Sequence, residues 1–127
     1  MTENEISKIV LDRSIKLQNA LGRGLLESTY ECCLAYDLEQ EGLKVARQVP
    51  IPIHYNGLQI NDAYRADLIV ENKVIIELKA VNHLEDVHYA QLTTYLRLAN
   101  MKLGLLINFN APKIKDGFVR IANGLDS

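Results

Sequence analysis

Three charged side chains lie within two otherwise apolar segments near the middle of the chain. Asp67 interrupts the run 65–70, and Glu77 and Lys79 lie in the run 74–79, which follows after a three-residue break. A charge buried in a β-hairpin costs several kcal/mol unless it is paired or binds a metal ion. The cluster therefore predicts a metal site suited to phosphodiester hydrolysis. A local ion-pair cluster on a half-exposed strand face is the alternative.

The length of the turn decides whether these charges meet, because side chains alternate faces along a strand. A two-residue turn would set Asp67 opposite Ile76 and send Glu77 to the other face. A three-residue turn over residues 71–73 would set Asp67 opposite Glu77, on the face that also carries Lys79. We expect the three-residue turn and one shared charged face.

The three-residue turn requires a residue in the left-handed conformation, and we expect this to be Asn72 or Lys73. The opposite face of the two strands is then entirely apolar, which is the composition of strands covered by helices. Its members are Ala66, Leu68, Val70, Val74, Ile76 and Leu78.

Length and composition fit one globular domain, residues 1–127, with 48% hydrophobic and 24% charged residues. No run of about 18 apolar residues is present, and the N-terminus lacks the pattern of a signal peptide. We therefore expect a cytoplasmic protein without a membrane segment. The net charge of −2 argues against coating of nucleic acid by bulk electrostatics. It does not exclude a nuclease, because metal ions bound at carboxylates reverse the local field.

The hydrophobic periodicity predicts the order α-α-β-β-β-β-α-β. Helices are expected at 3–21, 26–40 and 85–99, and Pro50 and Pro52 indicate that the first strand lies at a sheet edge. The remaining strands are expected at 58–60, 65–70, 74–79 and 103–109, with a short end piece at 117–123. The helical crossover predicts a mixed sheet in which the last strand runs parallel to a neighbour, and helices should cover both sheet faces or one face and an edge.

Several blocks of the chain, in order, resemble a known family. Residues 24–30 match the G-x-x-E-x-x-Y signature of small bacterial and archaeal GxxExxY proteins. Asp67 followed by 77–79 is similar to the core of the PD-(D/E)xK nuclease superfamily, to which that family is assigned. Further matching blocks are 64–68, 76–80, 88–92, 95–97 and 104–109. The departure is Ala66, which stands where many members of the superfamily have proline.

The resemblance implies an α/β fold with the restriction-endonuclease-like core α-β-β-β-α-β and a mixed sheet flanked by helices. It also implies a Mg²⁺ or Mn²⁺ ion, and such hard cations prefer oxygen ligands. The implied ligands are Asp67, Glu77 and the backbone carbonyl of Leu78. Lys79 would position the attacking water and help to deprotonate it.

Four further residues are candidates for the site, and the resemblance gives roles to Glu27 and Gln91. Glu27 is a second-carboxylate candidate, although an acid at a helix start also opposes the helix dipole. Gln91 would bind substrate or water. Tyr30 and His88 are candidate substrate contacts, although Tyr30 also fits the core and a partly exposed histidine commonly has no such role.

The leading hypothesis is a metal-dependent nuclease acting on DNA or RNA. The alternative is a catalytically weak or inactive nuclease-like domain that binds nucleic acid or a protein partner. A purely structural interaction module would be preferred if the carboxylates proved to be separated. A homodimer is also an open alternative, since many small nucleases need two copies to cut both strands.

Overall fold

The computed structural model describes residues 1–125. Its elements are α1 (Glu3–Leu21), α2 (Glu27–Gln40), β1 (Val45–Tyr55), β2 (Leu58–Val70), β3 (Val74–Lys79), α3 (Asp86–Ala99), β4 (Leu103–Asn108), a short 3-10 helix (Ile114–Gly117) and β5 (Phe118–Ala122). Among the helices of this range, none has the length and apolar character needed to cross a membrane. The expected succession α-β-β-β-α-β is present from α2 to β4.

The five strands form one mixed sheet in the order β1-β2-β3-β4-β5. The pair β3–β4 is parallel and the other pairs are antiparallel. Strand β1, which carries Pro50 and Pro52, lies at an edge, where a missing backbone donor costs no ladder bond. These predictions of a mixed sheet, a parallel crossover and a proline-bearing edge strand are confirmed.

The predicted division between strands at 58–60 and 65–70 is wrong. Both segments belong to the single strand β2, because β1 and β2 form one long hairpin that pairs Tyr55 with Leu58 and Val45 with Val70. An irregularity between Ile51 and Ile53 in β1 absorbs the change of register. The end piece at 117–123 contains the edge strand β5, paired with β4.

Helices cover both faces of the sheet. Helices α1 and α2 pack on the face that carries Leu68, Val70, Val74, Ile76 and Leu78. Helix α3 packs through Leu92, Tyr95 and Leu96 on the face that carries Ile69 and Ile75. At Gly104 of β4 an added Cβ would lie 2.9 Å from Leu92, so glycine there allows α3 to approach the sheet closely.

Ala66 departs from the predicted face. It is buried with Ile51 and Ile69 in the cluster on the α3 side. Its position is next to Asp67, where β2 no longer pairs with β3 and pairs only with β1.

Candidate active site

The turn between β2 and β3 has the length that brings the charges together. Val70 pairs with Val74 and Leu68 with Ile76, so the turn contains three residues. Asn72 is left-handed, as predicted, with φ of 53°, and Glu71 has the same φ. The Glu71 side chain accepts a 2.7 Å hydrogen bond from the Lys44 backbone N–H. This bond holds Glu71, whose left-handed conformation was not predicted, against the residue that precedes β1.

Glu77 lies on the α3 face of the sheet, since it alternates with Ile76 of the other face. The expected alternation fails at Asp67, because its neighbours Ala66 and Leu68 are buried on opposite sides of the sheet. The β2–β3 pairing ends at Leu68–Ile76. One residue further along, Asp67 Oδ2 accepts the backbone N–H of Leu78 at 2.9 Å. Because β2 stops pairing with β3 at this point, the Leu78 N–H has no backbone acceptor on β2, and the Asp67 carboxylate accepts it instead. This bond fixes the orientation of Asp67.

Glu77 is a buried carboxyl group without a balancing partner. It is only 6% exposed, and its Oε1 atom has no hydrogen-bond partner within residues 1–125. Burial, together with contact with the Asp67 carboxylate, raises the pKa of Glu77 to about 9, against a weaker opposing attraction from Lys79. Without a cation, Glu77 therefore holds a proton at neutral pH.

Lys79 is half-buried at the end of β3, on the same face as Glu77. It forms no ion pair with any acid in the described part of the chain, residues 1–125. Its ammonium group is therefore available to a ligand. The side chain of Leu78 points to the opposite core, and its backbone carbonyl remains a predicted ligand.

Glu27 does not join this pair in the structure. As the first residue of α2 it is exposed, and its side chain makes no hydrogen bond or ion pair within residues 1–125. In the same range, no three acidic, histidine or cysteine side chains lie close enough together to hold a metal ion. The described carboxylates of the site are therefore Asp67 and Glu77, and a role for Glu27 stays a prediction.

A second buried glutamate, which the sequence reasoning missed, lies one helical turn after Glu27. Glu31 is 5% exposed and accepts hydrogen bonds from Arg47 at 3.0 and 3.2 Å and from Gln48 at 2.7 Å. Gln48 also donates to Asp67 at 3.4 Å, so it connects the two acidic side chains. The sequence signal that could have indicated Glu31 is its i, i+4 spacing from Glu27, which places both residues on one face of α2.

Gln48 has an unusual backbone conformation for a strand residue. Its φ is 50°, in the left-handed region that non-glycine residues rarely adopt. Strained residues of this kind persist where their surroundings hold them, and they cluster at functional sites. Here the side-chain bonds to Glu31 and Asp67 provide that hold.

Gln91 and Tyr95 of α3 line a groove of about 290 Å³, and neither Asp67 nor Glu77 is among its described lining residues. Burial and the negative charges of Glu77, Tyr64 and Asp67 raise the pKa of Tyr95 to about 12, so its hydroxyl keeps its proton. Tyr95 also packs at a tilt against Tyr64, with ring centroids 5.9 Å apart. Tyr95 thus adds a hydroxyl group one helical turn after Gln91.

Tyr30 and His88 have structural partners. Tyr30 is fully buried, stacks on Phe109 and donates a 2.6 Å hydrogen bond to the Gly22 carbonyl. Its hydroxyl is thus used by the loop between α1 and α2, and its burial leaves no surface for a substrate contact. His88 Nδ1 accepts the Glu85 backbone N–H at 2.9 Å at the start of α3. That bond leaves the other ring nitrogen for the predicted contact.

A family model described as the PD-(D/E)XK nuclease superfamily matches residues 4–121. The chain is also similar to a solved structure titled "Crystal structure of SSO0001", with 20% identity and a TM-score of 0.47, over 95% of this chain and 79% of that one. No curated protein matches the sequence.

Proposed function

The chain belongs to the PD-(D/E)XK nuclease superfamily, whose restriction-endonuclease-like fold its mixed sheet follows, and we propose that it is a metal-dependent nuclease acting on DNA or RNA. The observation that carries the proposal is Glu77, a buried carboxyl that touches Asp67 and keeps one oxygen without a partner. We further assign the chain to the GxxExxY group on residues 24–30.

The donors present fit a hard divalent cation. Asp67 and Glu77 would hold Mg²⁺ or Mn²⁺ with the backbone carbonyl of Leu78, because such ions prefer oxygen ligands. The unpartnered Oε1 atom of Glu77 is the observation that favours this fit. When bound, the ion supplies Lewis acidity, which lowers the pKa of a water and offsets charge on the phosphate.

The remaining groups act on water and phosphate. The Lys79 ammonium, free of ion pairs within residues 1–125, would orient the attacking water and stabilise the developing negative charge. Gln91 and the Tyr95 hydroxyl would donate to phosphate oxygens from α3. In the reaction a water oxygen bonds to phosphorus and gives up a proton to bulk water, the phosphorus–oxygen bond to the leaving sugar breaks, and the leaving oxygen gains a proton from solvent.

A second candidate is a nuclease-like domain that binds nucleic acid or a protein partner without turnover. The position of Glu27, exposed and apart from the carboxylate pair, favours it, since the site then offers two carboxylates. Fold alone does not decide between the two functions.

A nuclease panel separates them. Single- and double-stranded DNA and RNA are incubated with Mg²⁺, Mn²⁺ or EDTA, using wild type, Asp67→Asn and the control Asp62→Asn from the same strand. The nuclease proposal expects metal-dependent cleavage by wild type and Asp62→Asn, and loss in Asp67→Asn. Binding without cleavage by wild type would favour the second candidate, and equal cleavage by all three proteins would indicate a contaminating enzyme.

A further inference from the structure

A polar pocket of about 600 Å³ lies where the parallel strands β3 and β4 end. The loop after β3 contributes Asn82 and His83, the loop after β4 contributes Asn110, and α3 contributes Tyr89. Asn82 is only three residues beyond Lys79. Crevices at the carboxyl ends of parallel strands are the usual ligand sites of open α/β sheets.

The pocket has a rigid floor. Asn108, 3% exposed, accepts the Val81 and Asn110 backbone N–H groups at 3.1 Å each and donates to the Val81 carbonyl at 2.9 Å. Gln18 of α1 donates to the carbonyls of Phe109 and Ala111. The two loops are therefore bound to each other and to the helical layer, so the pocket is formed before any ligand enters.

Arg23 supplies a cationic wall. Its Nε atom donates a 2.9 Å hydrogen bond to the Asn110 carbonyl, which fixes the guanidinium beside the pocket. Within residues 1–125 no acid forms an ion pair with Arg23, so its terminal nitrogens remain available as donors. The pocket contains one acid, Asp116, among the described lining residues.

This combination is suited to a nucleotide. A fixed guanidinium binds phosphate, side-chain amides bind base edges, and a tyrosine ring accepts a stacked base. We propose that the pocket binds an unpaired nucleotide next to the phosphodiester held at Lys79, with Arg23 on its phosphate and Asn82 and Asn110 on its base. The proposal rests on the proposed nuclease function and names its substrate class, which is single-stranded or frayed nucleic acid.

A concave pocket selects the unpaired state. A base inside a duplex is stacked and hydrogen-bonded, and its extrusion costs a few kcal/mol, whereas a single strand bears much less of that cost. The bonds of Asn108 and Gln18 hold the two loops in place, so the pocket keeps its shape when a base enters. The preference for unpaired nucleotides thus follows from a preformed pocket that accommodates a base without its partner.

Fluorescence anisotropy in EDTA, where metal-dependent cleavage is absent, tests this inference. The probes are a labelled 12-nucleotide single strand and the blunt duplex of the same sequence. Wild type should bind the single strand at least about tenfold more tightly than the duplex, by the difference in extrusion cost. Arg23→Gln should weaken single-strand binding about tenfold through loss of a charge-assisted contact, and Asp116→Asn should tighten it about threefold.

Lys8→Gln is the matched control, because it removes the same charge from an exposed position on α1 about 20 Å away along the helix. It should change affinity less than about twofold, as expected for a distant surface charge. A second readout needs no variant: added dTMP should shift the NMR signals of the Asn82 and Asn110 side-chain amides of wild type.

The outcomes separate the two proposals. Equal weakening by Arg23→Gln and Lys8→Gln, equal binding of strand and duplex, or unmoved amide signals would overturn the pocket, and cleavage by wild type would still support the nuclease. Binding that depends on Arg23 without cleavage under any metal condition would overturn the nuclease and retain the pocket. Failure to bind any probe would overturn the pocket.

Discussion

Glu31 and Glu77 are buried to nearly the same extent, 5% and 6% exposed, yet their surroundings are opposite. Glu31 has Arg47 and Gln48 as donors, so its charge is balanced. Glu77 faces another carboxylate and has an oxygen without a partner in residues 1–125. An unbalanced buried acid lowers stability, and proteins retain such groups mainly at functional sites. The comparison separates a structural acid from one kept for a ligand.

The largest expected effect is on turnover. Glu77→Gln should reduce metal-dependent cleavage about 1,000-fold, because several kcal/mol of charge stabilisation depend on this ligand. Glu31→Gln should retain cleavage and instead lower the free energy of unfolding by about 1–3 kcal/mol, since Arg47 loses its charged partner. Initial cleavage rates and urea denaturation of both variants measure this. The comparison fails if the two variants lose equal activity or equal stability.

The second effect concerns Lys79. Lys79→Ala should reduce cleavage about 10²- to 10⁴-fold while Mn²⁺ binding persists, because the lysine acts on water and not on the ion. Lys102→Ala, exposed just before β4, serves as the control and should leave both properties unchanged. Cleavage rates and calorimetric Mn²⁺ titration give the two readouts. Parallel loss of cleavage and metal binding in Lys79→Ala would assign the lysine to the metal site instead.

The third effect is a dependence of stability on pH in EDTA. An unfolded glutamate loses its proton near 4.5, whereas the pKa of Glu77 in the native state is raised to about 9 by burial and by Asp67. Between these values the native state binds more protons, so the free energy of unfolding falls as pH rises, by up to about 1.4 kcal/mol per pH unit. The slope should disappear in Glu77→Gln. Denaturation from pH 5 to 9 tests this, and identical slopes in the two proteins would show that Glu77 is not the titrating group.

The smallest effect concerns the bridge between the two acids. Gln48→Ala removes one bond of 2.7 Å to Glu31 and a long one of 3.4 Å to Asp67. It should cost about 1 kcal/mol of stability and less than about tenfold in cleavage rate. Gln59→Ala, at an exposed site in the same hairpin, should change neither quantity. A loss of activity as large as that of Glu77→Gln would make Gln48 part of the reacting site.

The sequence was sufficient for the register of the β2–β3 hairpin, because parity and turn length together determine that register. Only a three-residue turn places the apolar residues of 65–70 opposite those of 74–79. The structure has that turn. The long β1–β2 hairpin was divided in error, since exposed residues such as Asn61 and Asp62 resemble a loop although backbone pairing with β1 holds the segment extended.

Residues whose roles depend on distant partners could not be assigned from the sequence. The burial of Glu31 depends on Arg47, which lies 16 positions later on another element. Likewise, Tyr95 lies near enough to Glu77 and Asp67 to feel their charges because α3 packs on the sheet, and α3 approaches the sheet closely at Gly104. Local sequence patterns determine strand register, whereas contacts between distant residues depend on how the helices pack on the sheet.

Thermal denaturation at pH 8, with EDTA or with millimolar Mn²⁺, tests most directly whether the Glu77 side is a metal site and the Glu31 side is structural. The account predicts that Mn²⁺ raises the melting temperature of wild type and of Glu31→Gln, since an ion at about a hundredfold excess over its Kd stabilises the native state by about 2.7 kcal/mol. Glu77→Gln should show no rise. A wild type indifferent to Mn²⁺, or a rise of equal size in Glu77→Gln, would contradict the account.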